Sequence, residues 1–484
     1  MSPVWHNHLG NRSCRPAKIV APGALSELVE LVKTAEGNGK TVRAVGSGHS
    51  WSDVALTDGY LVEPRNLIGV EDAASEPLKV GAPANRLVRV LAGTPIGVLN
   101  AELDRMGLAL PNMGGYDAQT ISGVVSTSTH GSGLAFGPFP DLVRSLDLVI
   151  CGGKALRLEP GGGPTDGDVF THETLHLEQD DRKFRAAVCG MGTTGIVHSL
   201  LLEVREKFWL NEIRTLSTWE TVRDTLTSDG VLGKGGHYEL FVNPYAGSDG
   251  EHRALVTWRN DCPEPANQPQ DKLERHFLTE LESSLPITGT IVRYLARRHP
   301  RLMAKRFDSV LAGMRDDGYA NVSYKVFNIG EANKLPATSM ELGVAVDGRH
   351  ITAVDRILEI ARLRADEGIY HSSPFSLRFV AASDAYASMM YDQPTMMIEL
   401  IMVDGTLGCY SLLEGYESRL ADLGARPHWG HYNTLTEERI GRLYPDWGEW
   451  LAVEKEFNHS GVFDSEFTRR IGLKPQGPTE SPGD

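Results

Sequence analysis

Residues 42–50 read VRAVGSGHS and contain the first of three glycine-rich clusters in the chain. The span 41–45 predicts a short strand that runs straight into the loop Gly46-Ser47-Gly48-His49-Ser50. Glycines let backbone N–H groups approach a phosphate closely, and serine hydroxyls add further donors. A strand that ends in such a loop indicates a phosphate-binding turn, with a plain tight turn of a β-rich fold as the alternative.

Two further glycine clusters follow, over residues 114–133 and 189–197. Three clusters in one region favour a pyrophosphate held by backbone amides over three unrelated turns. The third contains a literal G-x-G-x-x-G at Gly190, Gly192 and Gly195. A nicotinamide-binding fingerprint should open a helix, whereas the β-branched residues after Gly195 predict a strand. A nicotinamide-dependent reductase is therefore the weaker alternative.

The composition excludes several classes of protein. The 484 residues carry 48 basic and 63 acidic side chains, a net charge of −15, so we expect no nucleic-acid partner. No apolar run approaches the roughly 20 residues of a membrane span, and the N-terminus lacks the apolar core of a secretory signal. Five scattered cysteines predict reduced thiols and no zinc site. We expect a cytoplasmic enzyme with no membrane partner and no metal.

The glycine-rich part of the chain precedes a part richer in aromatic and charged residues, which predicts two α+β domains. Apolar periodicity predicts helices over 24–36, 93–105, 271–285 and 351–364, and a surface loop over 260–270. Strands are predicted over 60–62, 78–80, 146–150, 340–346, 375–380 and 396–403. The Pro-, Gly- and Ser-rich residues 471–484 predict a disordered tail.

Three motifs together resemble the aldonolactone/alditol oxidases, flavoenzymes of the vanillyl-alcohol-oxidase fold. They are RAVGSGHSWS at 43–52, the stretch from Gln119 to Ser132, and PHWG at 427–430, in that order. The resemblance implies an FAD-binding domain over 15–205 and a substrate domain, built on an antiparallel sheet, over 206–420. It also implies that residues 421–470 return to the FAD-binding domain.

The resemblance also implies where FAD binds. It implies a covalent bond from His49 to the flavin 8α-methyl carbon, and a neutral imidazole is a competent nucleophile for that bond. A non-covalent histidine beside the cofactor is the alternative. His130 is expected to shape its loop. The residues expected at the cofactor are Gly46, Ser47, Gly48, His49, Ser50, Trp51, Gly115, Thr120, Gly123, Thr127, Ser128, Thr129, His130, Gly195, Ile196 and His428.

The substrate side departs from the family's pattern. Alternation places Ser376 and Arg378 on one face of a strand, where relatives carry Glu-x-Arg. On the strand 397–401 the same rule groups Glu399 with Ile401. A carboxylate in an apolar run needs a partner, and Arg378 is the obvious one for Glu399, whether as a core ion pair or in a site.

Two more positions differ from the family. Gly115 stands where many relatives have a substrate-contacting serine, and His431 where His-Trp-Gly-Lys has its lysine. His428 resembles the residue that contacts the flavin, and His431 the residue that reaches the substrate, with a surface histidine as the alternative. Small residues at 115 and 376 predict a ligand bulkier than a linear polyol.

These residues predict an FAD-dependent oxidase of a CH–OH group in a sugar-derived or related polar alcohol or lactone. Hydride is expected to pass to flavin N5 while Arg378 stabilises the developing charge on oxygen. His431 is the candidate base, with Glu399 next. Predicted substrate contacts are Gly115, Ser376, Arg378, Glu399, Ile401 and His431.

Molecular oxygen is the expected electron acceptor, giving hydrogen peroxide, and a dehydrogenase with another acceptor is the alternative on this fold. Oxidation of an amine or a natural-product intermediate, and a non-catalytic carbohydrate-binding protein, also stay open. The sequence does not decide the oligomeric state. His6 and His8 form an H-x-H motif that we expect in a mobile N-terminus, without a metal role.

Overall fold

A computed structural model describes residues 3–228, 230–267, 269–272, 294–295, 297–330 and 336–473. The helix predicted over 271–285 lies outside them from residue 273 onward, and the predicted tail does so from residue 474. Among the described residues, no helix is both long and apolar enough to cross a bilayer. All five cysteines, which the structure describes, are free thiols.

Two sheets form the first half of the chain. A parallel sheet has the strand order Lys18–Val20, Tyr60–Val62, Val42–Ala44. A six-stranded sheet has the order Leu175–Gln179, Lys154–Glu159, Val143–Ile150, Ile196–Glu203, Leu87–Leu91, Val70–Asp72. Four helices accompany them: Leu25–Gly37, Ile96–Arg105, Ile121–Ser126 and Asp181–Ala187.

An eight-stranded antiparallel sheet dominates the second half. Its order is Asp316–Val322, Trp209–Thr218, Arg253–Cys262, His237–Val242, Phe375–Val380, Thr395–Val403, Ala337–Ala345, Arg426–Pro427. Successive side chains of a strand point to opposite faces, so alternate residues form two sets. Leu342 and Ile398 belong to the set that packs under three helices, Trp219–Ser228, Arg349–Asp366 and Cys409–Arg419. The other set carries the charged residues of the site described below.

The end of the chain returns to the first half. The helices Glu437–Leu443, Trp447–Phe457 and Glu466–Arg470 follow the eight-stranded sheet. Trp450 and Phe467 share one hydrophobic core with Leu99 and Phe184 of the first half. The guanidinium of Arg43, fully buried, donates to the carbonyls of Met191 at 2.7 Å, Gly192 at 2.9 Å and Phe463 at 3.3 Å. This side chain joins the first strand–loop unit to the third glycine cluster and to the returning segment.

Shorter elements complete the described part of the chain. The short strands are Trp5–His6, Ser13–Cys14, Leu108–Ala109 and Arg205–Glu206. The remaining α-helices are Pro300–Ala304, Phe307–Gly313 and Ser323–Phe327. The 3-10 turns are Ala73–Ser75, Ala84–Arg86, Phe139–Leu142, Cys151–Gly153, Val231–Lys234 and Ala421–Leu423.

Most predicted elements are confirmed. The helices predicted over 24–36, 93–105 and 351–364 occur as Leu25–Gly37, Ile96–Arg105 and Arg349–Asp366. The strands over 60–62 and 375–380 have the predicted bounds. The predicted strand over 78–80 is wrong. Leu78 forms an isolated bridge with Thr165, and the flanking residues Pro77 and Pro83 have no N–H group to donate to a strand ladder. The loop predicted from residue 260 begins later, because the strand Arg253–Cys262 continues past it.

The start of the chain is folded, which corrects the expected mobile N-terminus. Trp5–His6 pairs antiparallel with Ser13–Cys14, and we call residues 5–14 the N-terminal hairpin. The side chain of Asn7 accepts from the Arg12 N–H at 3.0 Å and donates to the Ser50 carbonyl at 3.0 Å. A buried amide that satisfies both the hairpin and the GSGHS loop fixes one against the other.

Candidate active site

A cleft of about 1800 Å³, counting its open mouth, lies between the glycine loops and the charged face of the eight-stranded sheet. All three glycine clusters line it. Of the residues predicted at cofactor or substrate, the cleft lining includes Gly46, Ser47, Gly48, His49, Ser50, Trp51, Gly115, Thr120, Gly123, Thr127, Thr129, His130, Gly195, Ile196, Arg378, Glu399, His428 and His431.

Three predicted residues lie away from the cleft lining. Ser128 is buried with φ +57°, and its Oγ lies 2.8 Å from Ser388 Oγ. Ser376 is buried beside the site, directly opposite Glu399 on the neighbouring strand. Ile401 packs in a separate hydrophobic cluster with Phe307. Ser128 and Ile401 thus contact other parts of the interior, and for Ser376 and Ile401 alternation alone did not distinguish how far along a strand the cleft extends.

The GSGHS loop presents unpaired backbone donors to the cleft. The structure gives the N–H groups from Gly46 to Ser50 no hydrogen-bond acceptor among the residues it describes. The loop approaches Thr120 closely, since a Cβ at Gly46 would lie 2.1 Å from Thr120 Oγ1, a buried atom without a hydrogen-bond partner in the described chain. Consecutive free amides form a nest for an anion. These residues fit the pyrophosphate of FAD.

His49 faces the cleft from this loop and is stacked on His8 of the N-terminal hairpin. The ring centroids are 4.4 Å apart and the ring planes differ by 17°. Burial, and then the neighbouring His8, lower the pKa of His49 to about 4. The imidazole is therefore neutral at neutral pH, which leaves one ring nitrogen with a free lone pair.

Glu341 is a central residue of the site that sequence analysis missed. It lies on the strand Ala337–Ala345, lines the cleft, and is 3% exposed. Its Oε1 lies 3.2 Å from His130 Nε2 and its Oε2 lies 3.6 Å from His431 Nε2. Burial alone would raise the pKa of Glu341, but His130 and then His431 hold it below its usual range. The same signal that identified Glu399, a carboxylate inside an apolar run, was present at Glu341.

The turn after Pro427 places two histidines beside Glu341. The His428 N–H donates to the Glu341 carbonyl at 2.9 Å, and His428 Nδ1 accepts from the Gly430 N–H at 3.0 Å. His431 Nδ1 lies 3.1 Å from Ser339 Oγ, and its ring meets Trp51 edge-on at 4.8 Å. Burial lowers the pKa of His431 to about 4, although Glu341 opposes the shift. The side chain of His431 is 14% exposed and its imidazole is neutral at neutral pH, so it is not a surface histidine.

Arg378 belongs to a row of alternating charges that crosses the sheet. Its Nε donates to Glu239 at 3.2 Å, whereas its Nη2 lies 3.9 Å from Glu399. Glu239, not Glu399, is therefore its closer partner, and sequence reasoning did not name Glu239. Each further step of the row, through Arg259, Glu212 and Arg214, is 2.7–2.9 Å long. Burial alone would lower the pKa of Arg378, but Glu239 and then Glu399 raise it.

Glu399 ends this row at the cleft. It lies opposite Ser376 on one side and opposite Glu341 on the other. A carboxylate therefore approaches Arg378 from the adjacent strand, although serine occupies the predicted Glu-x-Arg position. Burial raises the pKa of Glu399 to about 7, with Arg378 opposing and Glu341 assisting the shift. Glu399 is therefore a carboxyl group of this site that changes charge near neutral pH.

Gly115 does not enlarge the cleft. A Cβ built on Gly115 would lie 2.7 Å from both Cδ1 and Cγ1 of Ile329. The side chain of Ile329 thus fills the volume that a serine at 115 would take. Neither Gly115 nor Ser376, which lies outside the cleft lining, therefore adds the room on which the expectation of a bulkier ligand rested, and the size of the ligand stays a prediction.

His130, Glu341 and His428 also have the side-chain types of a metal site, with ligand atoms within 4.8 Å of one another. His130 Nδ1 donates to the Gly131 carbonyl at 2.8 Å. His428 Nδ1 accepts from Gly430, so neutral His428 carries its proton on Nε2 and has no free lone pair for a cation. We interpret the cluster as one that holds protons, and the absence of a metal stays a prediction.

Comparisons with known proteins agree with this geometry. Residues 200–471 match the family model described as D-arabinono-1,4-lactone oxidase, and residues 16–159 match the FAD binding domain. L-gulono-1,4-lactone dehydrogenase of Mycobacterium tuberculosis is 29% identical, over 97% of this chain and 99% of its own. L-gulonolactone oxidase of Bos taurus is 24% identical, over 96% of this chain and 98% of its own.

Among solved structures, cholesterol oxidase from B. sterolicum superposes with a TM-score of 0.74 at 14% identity, covering 97% of both chains. At that identity the likeness concerns the fold alone. It confirms the predicted two-domain α+β architecture of the vanillyl-alcohol-oxidase type. The match to the FAD binding domain and the match to the lactone oxidase family confirm FAD as the cofactor of an oxidoreductase.

Proposed function

This chain belongs to the D-arabinono-1,4-lactone oxidase family, and we propose that it oxidises a CH–OH group of a sugar-derived 1,4-lactone, with dioxygen as acceptor and hydrogen peroxide as product. The observation that carries the proposal is that Arg378, Glu399, Glu341 and His431 are neighbours in the cleft lining. The free amides of the GSGHS loop line the same cleft. Backbone amides that can donate hydrogen bonds to the phosphates of FAD, and acid–base groups in the same cleft, fit a bound flavin and a reacting alcohol.

Bound FAD supplies the acceptor for the two electrons and the hydrogen that leave the carbinol carbon. Arg378 binds the oxygen of that carbon and stabilises the negative charge that develops on it. Glu239 holds the Arg378 guanidinium through Nε, so the guanidinium is oriented before substrate arrives. A preorganised donor needs no rearrangement during the reaction.

His431 takes the hydroxyl proton. Its lowered pKa makes it neutral, and hence an acceptor, across the neutral range. Once protonated, its imidazolium lies beside the Glu341 carboxylate, whose Oε2 is 3.6 Å from Nε2. Glu399 carries a negative charge above about pH 7 and is neutral below it. The ionisation of Glu399 therefore adds a negative charge to the site in which the hydroxyl proton is transferred.

We also propose that His49 is bonded to FAD. Its ring lines the cleft beside the unpaired amides and is neutral at neutral pH, as a nucleophile must be. His49→Ala should retain bound flavin, because the loop amides supply most of the contacts, but should release it on acid precipitation. Flavin that stays with the acid-precipitated variant would contradict His49 as the attachment site.

A dehydrogenase with another electron acceptor is the second candidate. It is favoured by one observation, that the Mycobacterium tuberculosis relative, similar over nearly the whole chain, bears the name dehydrogenase. The two candidates differ in how fast dioxygen reoxidises the reduced flavin. Mixing substrate-reduced protein with aerated buffer distinguishes them, because an oxidase recovers its visible absorbance within the turnover time.

The proposed substrate class is tested with a panel of 1,4-lactones, linear polyols and primary amines at matched concentrations. We expect hydrogen peroxide from L-gulono- or D-arabinono-1,4-lactone, and less from a polyol. Turnover of an amine alone would overturn the lactone proposal. Turnover of none of them, in protein that contains FAD, would overturn it as well.

A further inference from the structure

The N-terminal hairpin closes over the loop that carries His49. Three hydrogen bonds join it to carbonyl groups on either side of His49. They run from the His8 N–H to Gly48 at 2.8 Å, from Asn7 Nδ2 to Ser50 at 3.0 Å, and from Arg12 Nε to Trp51 at 2.7 Å. The hairpin therefore fixes the backbone before and after His49 and leaves the loop N–H groups free for the cofactor.

The side chain of His49 is fixed by the same hairpin. His8 stacks on it in a near-parallel arrangement, 4.4 Å between centroids, and both rings line the cleft. Gly48 permits the close approach: its φ is +72°, and a Cβ there would lie 3.1 Å from Trp5 Cζ2. A side chain at 48 would be strained at that φ and would press on the hairpin. Gly48 therefore lets the hairpin lie close enough for His8 to stack on His49.

We propose that His8 is a positioning residue for flavin attachment, because its stack holds the His49 ring in the orientation from which the bond to FAD forms. This inference rests on the His49–FAD bond of the proposed function. In the net reaction a C–N bond forms as the 8α-methyl carbon loses one hydrogen and the imidazole loses another. Dioxygen, the acceptor already proposed for the enzyme, takes both hydrogens and becomes hydrogen peroxide.

The identity of the stacking ring suits this role. A carboxylate beside His49 would favour the imidazolium, which has no lone pair with which to attack carbon. An imidazole stacked on His49 orients it without that effect, and burial together with His8 lowers the pKa of His49. The hairpin supplies orientation while the attacking nitrogen stays unprotonated.

The inference is tested by measuring total flavin and acid-stable flavin separately. Both are measured in freshly purified holoenzyme and at successive times after FAD is added to protein that lacks it. The variants are His8→Ala, which removes the ring, and His8→Phe, which keeps a stacking ring. His6→Ala is the matched control, because His6 is exposed on the same hairpin and pairs with Ser13. Thermal unfolding of each variant reports whether the hairpin region still folds.

We expect His8→Ala to bind total flavin as wild type does, but to make it acid-stable about 10-fold or more slowly, since lost orientation is expressed in rate. His8→Phe and His6→Ala should attach flavin at the wild-type rate. Wild-type attachment by His8→Ala would overturn the role of His8 while leaving the His49 bond intact. Wild-type protein without any acid-stable flavin would overturn the His49 bond, and the role of His8 with it, yet leave lactone oxidation standing.

Discussion

Glu341 and Glu399 occupy directly opposed positions on neighbouring strands, and both carboxylates line the cleft. Like charges so placed disfavour one another, and burial strengthens the effect. The conflict is resolved unequally. The neighbouring histidines, His130 first, hold the pKa of Glu341 below its usual range, whereas burial and Glu341 raise the pKa of Glu399 to about 7. The site therefore contains one carboxyl group that holds a proton at the acidic side of neutrality and releases it above.

The first prediction concerns the pH dependence of flavin reduction. Glu399 is protonated below its raised pKa and ionised above it, so the reduction rate should rise as pH passes through about 7. Glu399→Gln should lose this rise, which is the ascending limb of the pH profile. His431→Gln should be slower at every pH but keep the limb, because the pKa of His431, about 4, lies well below it. Stopped-flow reduction against pH measures both, and a limb that vanishes in His431→Gln instead would reverse the assignment.

The second prediction concerns Glu341. Glu341→Gln removes the carboxylate that faces His431, so the imidazolium formed during reaction loses its charge partner. We expect flavin reduction to slow by about 10²-fold, the scale of losing one preorganised electrostatic contact. Glu438→Gln is the matched control, because Glu438 is an exposed glutamate paired with Arg442 on the surface. Equal rates in the two variants would remove Glu341 from the reaction.

The third prediction separates the chemistry of Arg378 from its structural role. Arg378→Ala removes the cation that faces Glu399 and one of the two that contact Glu239, the other being Arg259, which should cost about 3–5 kcal/mol of unfolding free energy. Combining it with Glu239→Gln should recover much of that stability, as denaturant titration would report. The rate of flavin reduction should fall by about 10²–10³-fold in Arg378→Ala and should stay as low in the double variant. A double variant with wild-type reduction would show that Arg378 acts through stability alone.

The fourth prediction concerns Gly115. Gly115→Ser should overlap Ile329 and cost about 1–3 kcal/mol of unfolding free energy, the usual penalty of overpacking. It should not by itself confer a preference for linear polyols. Adding Ile329→Ala makes room for the serine and should restore the stability. The kcat/KM ratio of lactone to polyol is the measurement, and a polyol preference in the single variant would mean that Ile329 moves aside freely.

Much of the fold was predictable because its signals are local. The strand–loop unit at 42–50, the alternation along 375–380 and the helix over 351–364 all follow from short-range patterns. The strand predicted at 78–80 was wrong, because the short Leu-Lys-Val stretch between Pro77 and Gly81 does not reveal whether a partner strand lies alongside. Pairing is a tertiary property.

The site was predictable where one motif supplies several residues and less so where distant segments meet. Glu341 carried the same signal as Glu399 but had no obvious partner in the sequence, since His130 and His431 reach it from other segments. His8 lies 41 positions from His49 and meets it through hairpin packing alone. Ile401 shares a strand face with Glu399 but lies beyond the cleft, a distinction that alternation does not make.

We propose that this cleft oxidises a lactone CH–OH group while bound FAD is reduced. The most direct measurement is anaerobic mixing of purified, FAD-containing protein with a 1,4-lactone while the visible flavin absorbance is followed. We predict loss of that absorbance in a single turnover, retained total FAD, and a strongly slowed loss in His431→Gln and in Arg378→Ala combined with Glu239→Gln. Absorbance that stays unchanged with every 1,4-lactone tested, in protein whose FAD is fully bound, would contradict the claim.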